Sequence, residues 1–337
     1  MKFLDFFCGA GGFSIGLVKA GHDLIYGIDN WNPAQLTYKN YFGDDKFRLL
    51  DLAEVDPKKI VNLLEIKQNE IDLIVGGPPC QGFSSMGKQN LSDPRNMLVI
   101  NFAEIISTIK PKYFILENVS AVQGKKFESL LTNLTSLFKD SGYSNLHAEI
   151  LDAQDFNVPQ RRKRFFLIGC LSNSVTLSMP RQNQKKRNVG EAIMDLVGKE
   201  NRVYNHVPMN HNEIVKGRLS YIPEGGKLDT KSLPKKLAYG SRSDFKNNKI
   251  KNFSHIYLRL SRDKISGTIV PGHNAFPIHP TEDRSLTVRE AARIQTFPDK
   301  VQFFGTRQEQ CILVGNSVPV NLSFALGKHL NNLDKGL

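Results

Sequence analysis

A cysteine, Cys80, follows two prolines directly after an apolar run in the stretch IDLIVGGPPCQGFS. The run predicts a buried strand, and the glycines and prolines predict a stiff loop beyond its end. A thiol on such a loop lacks apolar neighbours, which favours a nucleophile over a packing residue. Glu117 ends the apolar run of YFILENV in the same way, although a surface carboxylate is the alternative. A thiolate beside a carboxylic acid suits addition to an electron-poor ring, where sulfur attacks carbon and the acid protonates a ring nitrogen.

Basic side chains recur in the stretch PQRRKRFF. Gln160, Arg162 and Arg164 alternate there, so an extended backbone would present them on one side. Arginines in this arrangement are able to hold phosphates or the reacting base. A basic strand edge is the alternative interpretation.

A glycine loop lies near the N-terminus, in DFFCGAGGFSIG. A strand that turns through glycines into a helix directs backbone N–H groups at a ligand. The loop departs from the dinucleotide fingerprint, because Ser14 stands at the third glycine position counted from Gly9 and no basic residue is near. Asp29, after the next apolar run, is placed to accept from ribose hydroxyls, and Phe7 offers a ring face to adenine. A helix cap and a core residue are the alternatives for these two.

Strand and helix patterns alternate through the first 170 residues, and the motifs above follow strand ends. This alternation predicts an α/β fold with a doubly wound, mostly parallel sheet, whose ligands bind beyond the carboxyl ends of the strands. From Pro180 to Arg284 no helical period persists, which predicts a smaller, loop-rich domain. TVREAARIQTF then predicts a helix, and GNSVPVNLSFALGKHL predicts a loop followed by a helix. We therefore expect domains at 1–180 plus 286–337 and at 181–285.

The net charge of +12 is concentrated in one segment. Residues 181–264 hold 19 Lys and Arg against 8 Asp and Glu, as expected of a lobe that binds a polyanion, with a solvated basic surface as the alternative. The four cysteines form no C-x-x-C pair, which argues against a zinc site or a disulfide framework and predicts a reducing, cytoplasmic compartment. We see no signal peptide or membrane span, and expect no metal.

Six stretches together resemble the ordered motifs of the DNA (cytosine-5)-methyltransferase family, and the likeness runs over nearly the whole chain. They are DFFCGAGGFSIG, GGPPCQGFS, ENV, QRRKR, REAARIQTFP and GNSVPV. The resemblance implies a domain that binds S-adenosylmethionine and a small target-recognition domain. The compact chain is similar to bacterial restriction-modification enzymes or solitary methyltransferases.

The resemblance also assigns residues to roles. At the target cytosine, Cys80 would attack C6 while Glu117 holds and protonates N3, and Arg162 and Arg164 would position the flipped nucleotide. The implied cofactor-binding residues are Phe7, Gly9, Gly11, Asp29, Asp51, Leu52, Pro78, Asn316 and Ser317. The implied substrate-binding residues are Gln81, Ser84, Gln160 and Thr268, the last within a Thr-plus-aliphatic pair, Thr268–Ile269. Many members of the family carry a bulky residue directly after the acidic residue that corresponds to Asp29. This chain has Asn30 there, so the packing against adenine would differ in detail.

Double-stranded DNA is the implied partner, with a site of about four to six base pairs read in the major groove. Methyl transfer would convert the cofactor to S-adenosylhomocysteine. We expect a monomer near the nucleoid, with any restriction endonuclease acting separately.

Three alternatives remain open from the residues. An RNA cytosine-5 methyltransferase would share Cys80 and Glu117, but members associated with tRNA differ from GFS after PPCQ and lack so large a basic insert. A DNA-binding regulator without catalysis would be marked by loss of Cys80 or Glu117. A nicotinamide dehydrogenase is disfavoured by Ser14 and by the lack of a hydride-transfer His or Tyr in a matching context.

Overall fold

The computed structural model describes residues 1–67, 69–79, 97–182, 186–229, 232–238, 257–270 and 276–336. The predicted roles of Cys80, Gln81 and Ser84 lie outside these residues. The chain divides into two compact units. Unit 1 comprises Met1–Asn157, Arg162–Gln184 and Ser317–Leu337, and unit 2 comprises Val158–Arg161 and Lys185–Asn316.

Unit 1 is built on a seven-stranded sheet with the order β3-β2-β1-β4-β5-β7-β6. The strands are β1 Lys2–Phe6, β2 Asp23–Asp29, β3 Phe47–Leu49, β4 Leu73–Gly76, β5 Tyr113–Val119, β6 Asn145–Asp152 and β7 Lys163–Cys170. Strands β1 to β5 pair in parallel, whereas β7 runs antiparallel to both β5 and β6. The predicted doubly wound, mostly parallel sheet is therefore confirmed, with β7 as its antiparallel member.

The strand order reverses direction between β1 and β4. The chain runs from β1 outward through β2 to β3 and then returns to place β4 on the other side of β1. In an open α/β sheet, such a reversal leaves a crevice beyond the carboxyl ends of the two central strands. Phe7 follows β1 and Gly77 follows β4, so both predicted loops begin at this crevice.

The helices, in chain order, are α1 Gly12–Lys19, α2 Asn32–Phe42, α3 Ile60–Leu63, α4 Met97–Ile109, α5 Glu128–Asp140, α6 Gly190–Ile193, α7 Glu213–Leu219, α8 Val288–Ile294, α9 Arg307–Asn316 and α10 Val320–Asp334. In unit 1, α4 and α5 bury aromatic rings against the sheet: Phe102 meets Phe6 edge-on, and Phe138 stacks on Phe114. Helix α1 approaches α10 so closely that a Cβ at Gly16 would lie 2.5 Å from the Ser323 Cβ. The contact of Phe102 with Phe6 packs α4 against the end of β1, from which the glycine loop departs.

Unit 2 has short elements, as its sequence predicts, and buried polar side chains lie among its buried apolar residues. Arg259 is buried and donates to the carbonyls of Leu219, Ile222 and His279. Helix α8 begins with a capping box between Thr287 and Glu290. Such charge-assisted bonds hold segments that have little regular structure of their own.

Unit 2 extends to Asn316, so it includes α8 and α9 as well as the basic segment. These two helices are bonded to the segment around residue 205. Arg289 donates to the Tyr204 carbonyl, and Asn205 donates to the Phe303 carbonyl and to Gln310. These bonds hold the two helices within the same unit as the basic segment.

The sequence predicts a loop over residues 315–317, but α9 continues to Asn316. The prediction was therefore wrong for Gly315 and Asn316. Glycine and asparagine are poor helix formers, which is why the stretch predicts a loop. Buried Leu313 and Val314 hold the last turn of α9 despite this propensity. None of the helices in the described part of the chain has the length and apolar run that crossing a membrane requires.

Candidate active site

Glu117 lies against the loop that follows β4. It follows YFIL in β5, and its carboxylate lies so close to Gly77 that an added Cβ there would be 3.0 Å from Oε2. The next residue, Asn118, donates from Nδ2 to the Pro78 carbonyl at 3.4 Å. The pairing of β4 with β5 therefore brings Glu117 close to Gly77 and Pro78, which precede Cys80 in the sequence.

Arg164 reaches Glu117 across the antiparallel pair β5–β7. In the register, Glu117 is opposite Phe166 and Val119 is opposite Arg164, so Glu117 and Arg164 are diagonal neighbours on one face. The Arg164 Nε lies 3.2 Å from the Glu117 Oε1, and both side chains are largely buried. Arg164 is thus the residue of QRRKR that the strand register brings to Glu117.

Arg162 is the second buried cation near Glu117. Its main chain is fixed by Asp152, whose Oδ1 accepts from the Arg162 N–H at 3.0 Å, and its side chain is almost fully buried. Burial lowers the pKa of Arg162 well below its usual range; the charge of Arg164 lowers it further, and Glu117 opposes both.

Burial also sets the protonation of Glu117. Desolvation raises its pKa, and the charges of Arg164 and then Arg162 pull it back toward the usual range. A raised pKa increases the fraction of a carboxyl group that carries its proton at a given pH. The two arginines and the carboxyl thus form a buried cluster in which burial favours the neutral acid and the arginines favour the carboxylate.

The glycine loop after β1 is a turn with left-handed backbone. Phe7 has φ 58°, Gly9 has φ 51° and Gly11 has φ 77°. An added Cβ at Gly11 would lie 3.0 Å from both the Phe42 and Tyr38 rings, and the left-handed φ also disfavours a side chain there. A Cβ at Gly9, in contrast, would meet nothing within 4 Å. The backbone at Gly9 is therefore open to close approach by a ligand.

Asp29 ties this turn to the end of β2. Its Oδ2 accepts from the Gly9 N–H at 2.9 Å and its Oδ1 accepts from the Trp31 N–H at 3.1 Å. Burial raises the pKa of Asp29, against the lowering effect of these N–H donors. Each carboxylate oxygen has a second lone-pair direction, so Asp29 retains acceptor capacity beyond these two bonds.

The segment expected near adenine is also ordered by side-chain bonds. Asn30 donates from Nδ2 to the Asp51 Oδ2 at 3.0 Å, so the residue that departs from the family pattern bonds to another predicted cofactor residue. Leu52 is buried, and its carbonyl accepts from Asn101 at 3.0 Å.

Four other predicted residues lie in different surroundings. Gln160 is fully buried in unit 2, where its side chain bonds to Gln295 and to the Ile269 N–H. Its neighbour in the same unit, Thr268, donates from Oγ1 to the Arg161 carbonyl at 2.8 Å. Asn316 is exposed at the end of α9 in unit 2, whereas Ser317 is buried and opens the last segment of unit 1.

The structure adds a buried group to which the sequence motifs assign no role. Asp5 accepts from the Ser14 hydroxyl at 2.6 Å, and the Ser14 and Tyr38 hydroxyls are 2.7 Å apart. Burial raises the pKa of Asp5 to about 7, partly offset by the bonds from Ser14. The sequence signal that could have identified Asp5 is an acidic residue inside the apolar run KFLDFF. Within the described ranges, no group of three or more His, Cys, Asp or Glu side chains is arranged to hold a metal ion.

Comparisons with known proteins identify the family of the chain. Residues 1–332 match the model of the C-5 cytosine-specific DNA methylase family. The type II methyltransferase M1.HphI of Haemophilus parahaemolyticus is 32% identical over 97% of this chain and 86% of its own. M.HindV of Haemophilus influenzae is 33% identical over 99% of this chain and 98% of its own. A crystal structure of a prophage-encoded methyltransferase from E. coli has a TM-score of 0.79 at 23% identity and covers 99% of both chains. The chain therefore belongs to the C-5 cytosine-specific DNA methylase family.

Proposed function

We propose that this DNA (cytosine-5)-methyltransferase methylates a flipped cytosine within a short double-stranded site through a covalent bond between Cys80 and C6. The observation that carries this proposal is the position of Glu117. Its carboxylate lies against Gly77, its neighbour Asn118 bonds to Pro78, and this loop leads directly to Cys80. A nucleophile and a buried acid at adjacent strand ends are what addition to a pyrimidine ring requires.

The reaction begins when the Cys80 thiolate attacks C6. As that bond forms, the C5–C6 π electrons shift into a C4–C5 double bond and the C4–N3 π electrons move to N3, which Glu117 protonates. The resulting enamine is nucleophilic at C5, and bound S-adenosylmethionine would supply the methyl group that C5 takes up. A base then removes the C5 proton, the electron pair of the C5–H bond re-forms the C5–C6 double bond as the thiolate leaves, and the N3 proton returns to Glu117. A water molecule is our candidate for this base.

The target must leave the helix, since C5 and C6 are enclosed in a duplex. Flipping costs a few kcal/mol, which contacts in the active site offset. Arg162 and Arg164 are our candidates for holding the flipped nucleotide, because both are buried cations beside Glu117. Gln81, Ser84 and Thr268 are proposed to contact the substrate.

The glycine turn is suited to S-adenosylmethionine. The backbone at Gly9 is open, and Asp29 has acceptor capacity for ribose hydroxyls. Asp51 accepts from the Ala53 N–H, and the Leu52 carbonyl accepts from Asn101, so both residues are held in place. We propose that these residues bind the cofactor with Phe7, Gly11, Pro78, Asn316 and Ser317. S-adenosylhomocysteine is then released.

Double-stranded DNA is the substrate that fits the family and the basic segment. An RNA cytosine-5 methyltransferase, the alternative from sequence, is not favoured by the family model or by the type II relatives. We further propose a cytoplasmic monomer whose restriction endonuclease partner, where one exists, acts separately. The functional domains are proposed as 1–180 plus 286–337 for catalysis and 181–285 for recognition.

The test is base-resolution mapping of 5-methylcytosine in DNA from a methylation-deficient bacterial host that expresses this chain. A parallel culture expresses Cys80→Ser, and purified Cys80→Ser is assayed for duplex binding. We expect methylation at one fixed short context in the wild type, none with the variant, and duplex binding by both. Unchanged methylation in Cys80→Ser would overturn the proposed nucleophile, and no methylation by folded wild type would overturn the proposed substrate.

A further inference from the structure

Two glutamines in unit 2, Gln160 and Gln295, form a continuous chain of hydrogen bonds that we call the glutamine relay. Both side chains are fully buried. Gln160 donates from Nε2 to the Gln295 Oε1 at 2.9 Å, and Gln295 donates from Nε2 to the Val314 carbonyl at 3.0 Å. At the other end, the Ile269 N–H donates to the Gln160 Oε1 at 2.8 Å. The relay therefore connects the Ile269 main chain to α9 through the residue that follows α8.

The orientation of each amide in the relay is determined by its two ends. The Ile269 N–H can only donate and the Val314 carbonyl can only accept. Reversing either glutamine would place two donors or two acceptors against each other in a buried site. Leaving a buried polar group unpaired costs free energy, so the bonded arrangement is preferred over its alternatives. The relay thus specifies one position for the Ile269 main chain.

The same segment is bonded to the residues around Gln160. The Arg161 N–H donates to the Ser266 carbonyl at 2.9 Å, and the Ser266 N–H donates to the Pro159 carbonyl at 3.0 Å. Thr268 adds its hydroxyl bond to the Arg161 carbonyl. Segment 266–269 forms no helix or strand, so these contacts and the relay set its position.

We propose, on the basis of the proposed recognition role of Thr268 and Ile269, that Gln160 and Gln295 are positioning residues that determine how sharply the enzyme discriminates its site. They act by holding the main chain of this pair at one distance from the DNA. Gln160 is assigned here to positioning and not to a direct DNA contact, because both ends of its buried amide are bonded within unit 2. Gln295 gains a role that its sequence context does not indicate.

The test compares Gln160→Met and Gln295→Met with a control, Gln310→Met. Methionine keeps the side-chain length and removes the amide. Gln310 is a half-buried amide of the same unit whose two ends bond to Asn205 and to the Gly305 carbonyl, away from segment 266–269. The readout is the ratio of kcat/KM for the duplex found by mapping to kcat/KM for duplexes with one changed base pair.

We expect each relay variant to lower this ratio by about 10-fold or more, mainly through KM for the correct duplex, while kcat at saturating DNA changes less than about threefold. Gln310→Met is expected to lower the melting temperature and leave the ratio unchanged. Because the two glutamines act through one chain of bonds, the double variant should lose no more discrimination than either single variant.

A second variant, Gln295→Glu, separates positioning from general destabilisation. A protonated glutamic acid donates to the Val314 carbonyl and accepts from Gln160, as glutamine does, whereas the ionised form cannot donate. The discrimination ratio of Gln295→Glu should therefore fall as pH rises, relative to wild type at each pH. Ratios equal to wild type in both methionine variants and at every pH in Gln295→Glu would overturn this inference alone. Failure of wild type to methylate any duplex would overturn the proposed function, and this inference with it.

Discussion

The ion pair of Glu117 and Arg164 controls when the proposed acid is protonated. Burial raises the pKa of Glu117, and Arg164 is the largest opposing influence. Sequence alone could indicate Glu117, since it ends an apolar run, but it could not indicate the contact with Arg164, which depends on the antiparallel register of β7. It could not place Gln160, because β7 begins at Lys163 and the Gln160 amide meets a residue 135 positions away in the chain.

Glu117→Gln should reduce methyl transfer on the order of 10²–10⁴-fold, because a neutral amide cannot protonate N3. Duplex binding should be retained, since the substitution keeps the size of the side chain. Single-turnover methyl transfer and duplex affinity, measured on the same preparation, check this. A variant with wild-type turnover would remove Glu117 from the mechanism.

Arg164→Gln should move the pH dependence of methyl transfer. Loss of the neighbouring charge lets burial raise the pKa of Glu117 further, so the carboxyl stays protonated to higher pH. The limb of the kcat–pH profile that falls with rising pH should shift to higher pH, whatever the loss in absolute rate. Lys163→Gln, at the exposed neighbouring position, is the control and should leave that limb in place.

Asp5 should make the free energy of unfolding depend on pH. Its pKa is about 7 in the folded chain against an ordinary value of 3.8, so the unfolded state loses the proton first as pH rises. Wild type should thus lose stability by up to about 1.4 kcal/mol per pH unit between about pH 4 and pH 7, relative to Asp5→Asn. Urea unfolding of both proteins across this range measures the difference, and a pH-independent difference would contradict the assignment.

At the scale of elements, close helix approach and strand order position the loops. The alternation of apolar runs predicted β1, β2, β4 and β5 well, because buried parallel strands read as continuous apolar stretches. It did not predict α9 through Gly315 and Asn316, since local propensity there opposes the helix that burial of Val314 favours. Local pattern thus identifies elements, whereas contacts distant in sequence decide where some of them end.

Gly16→Ala should weaken the contact between α1 and α10. An added Cβ would lie 2.5 Å from both the Ser323 Cβ and the Val320 carbonyl oxygen, so the helices must separate. We expect a loss of about 1–3 kcal/mol in the free energy of unfolding, as is typical of overpacking. Lys328→Ala, at an exposed position of α10, is the control. Denaturant unfolding in which both variants match wild type would contradict this packing.

At the scale of the whole molecule, most of the excess positive charge lies in one segment of the chain. Sequence indicated a basic, loop-rich segment, and unit 2 holds that segment. The boundary of the unit could not be predicted, because it depends on bonds such as Arg289 to the Tyr204 carbonyl. The choice of DNA site also escapes prediction, since no residue code converts side chains on such loops into base pairs.

Removing charge from the basic segment should flatten the salt dependence of DNA binding. Lys235 and Lys236 are adjacent and exposed in a short 3₁₀ turn after Pro234, and Lys58 and Lys59 are adjacent and exposed in a similar turn of unit 1 after Pro57. Changing the first pair to glutamine should reduce the slope of log Kobs against log salt by about 0.9 for each phosphate that the protein no longer neutralises. The control variant changes Lys58 and Lys59 to glutamine. Equal slopes in the two double variants would show that Lys235 and Lys236 are only surface charge.

A wider set, Lys185, Lys186, Arg187, Lys235 and Lys236, should weaken duplex binding further when several members are neutralised. The measurement is the same titration of duplex affinity against salt. An unaltered slope would assign the binding of phosphates to other parts of the chain.

The four-residue piece Val158–Arg161 belongs to unit 2 although unit 1 precedes and follows it in the chain. An exchange of recognition regions between related enzymes, by recombination or by engineering, would move residues 185–316 as one continuous fragment and leave this piece behind. The fragment carries Gln295 and Ile269 but not the Gln160 that joins them. Successful exchange thus requires a recipient that already has a glutamine at that position, so compatibility between donor and recipient depends on a residue outside the transferred fragment.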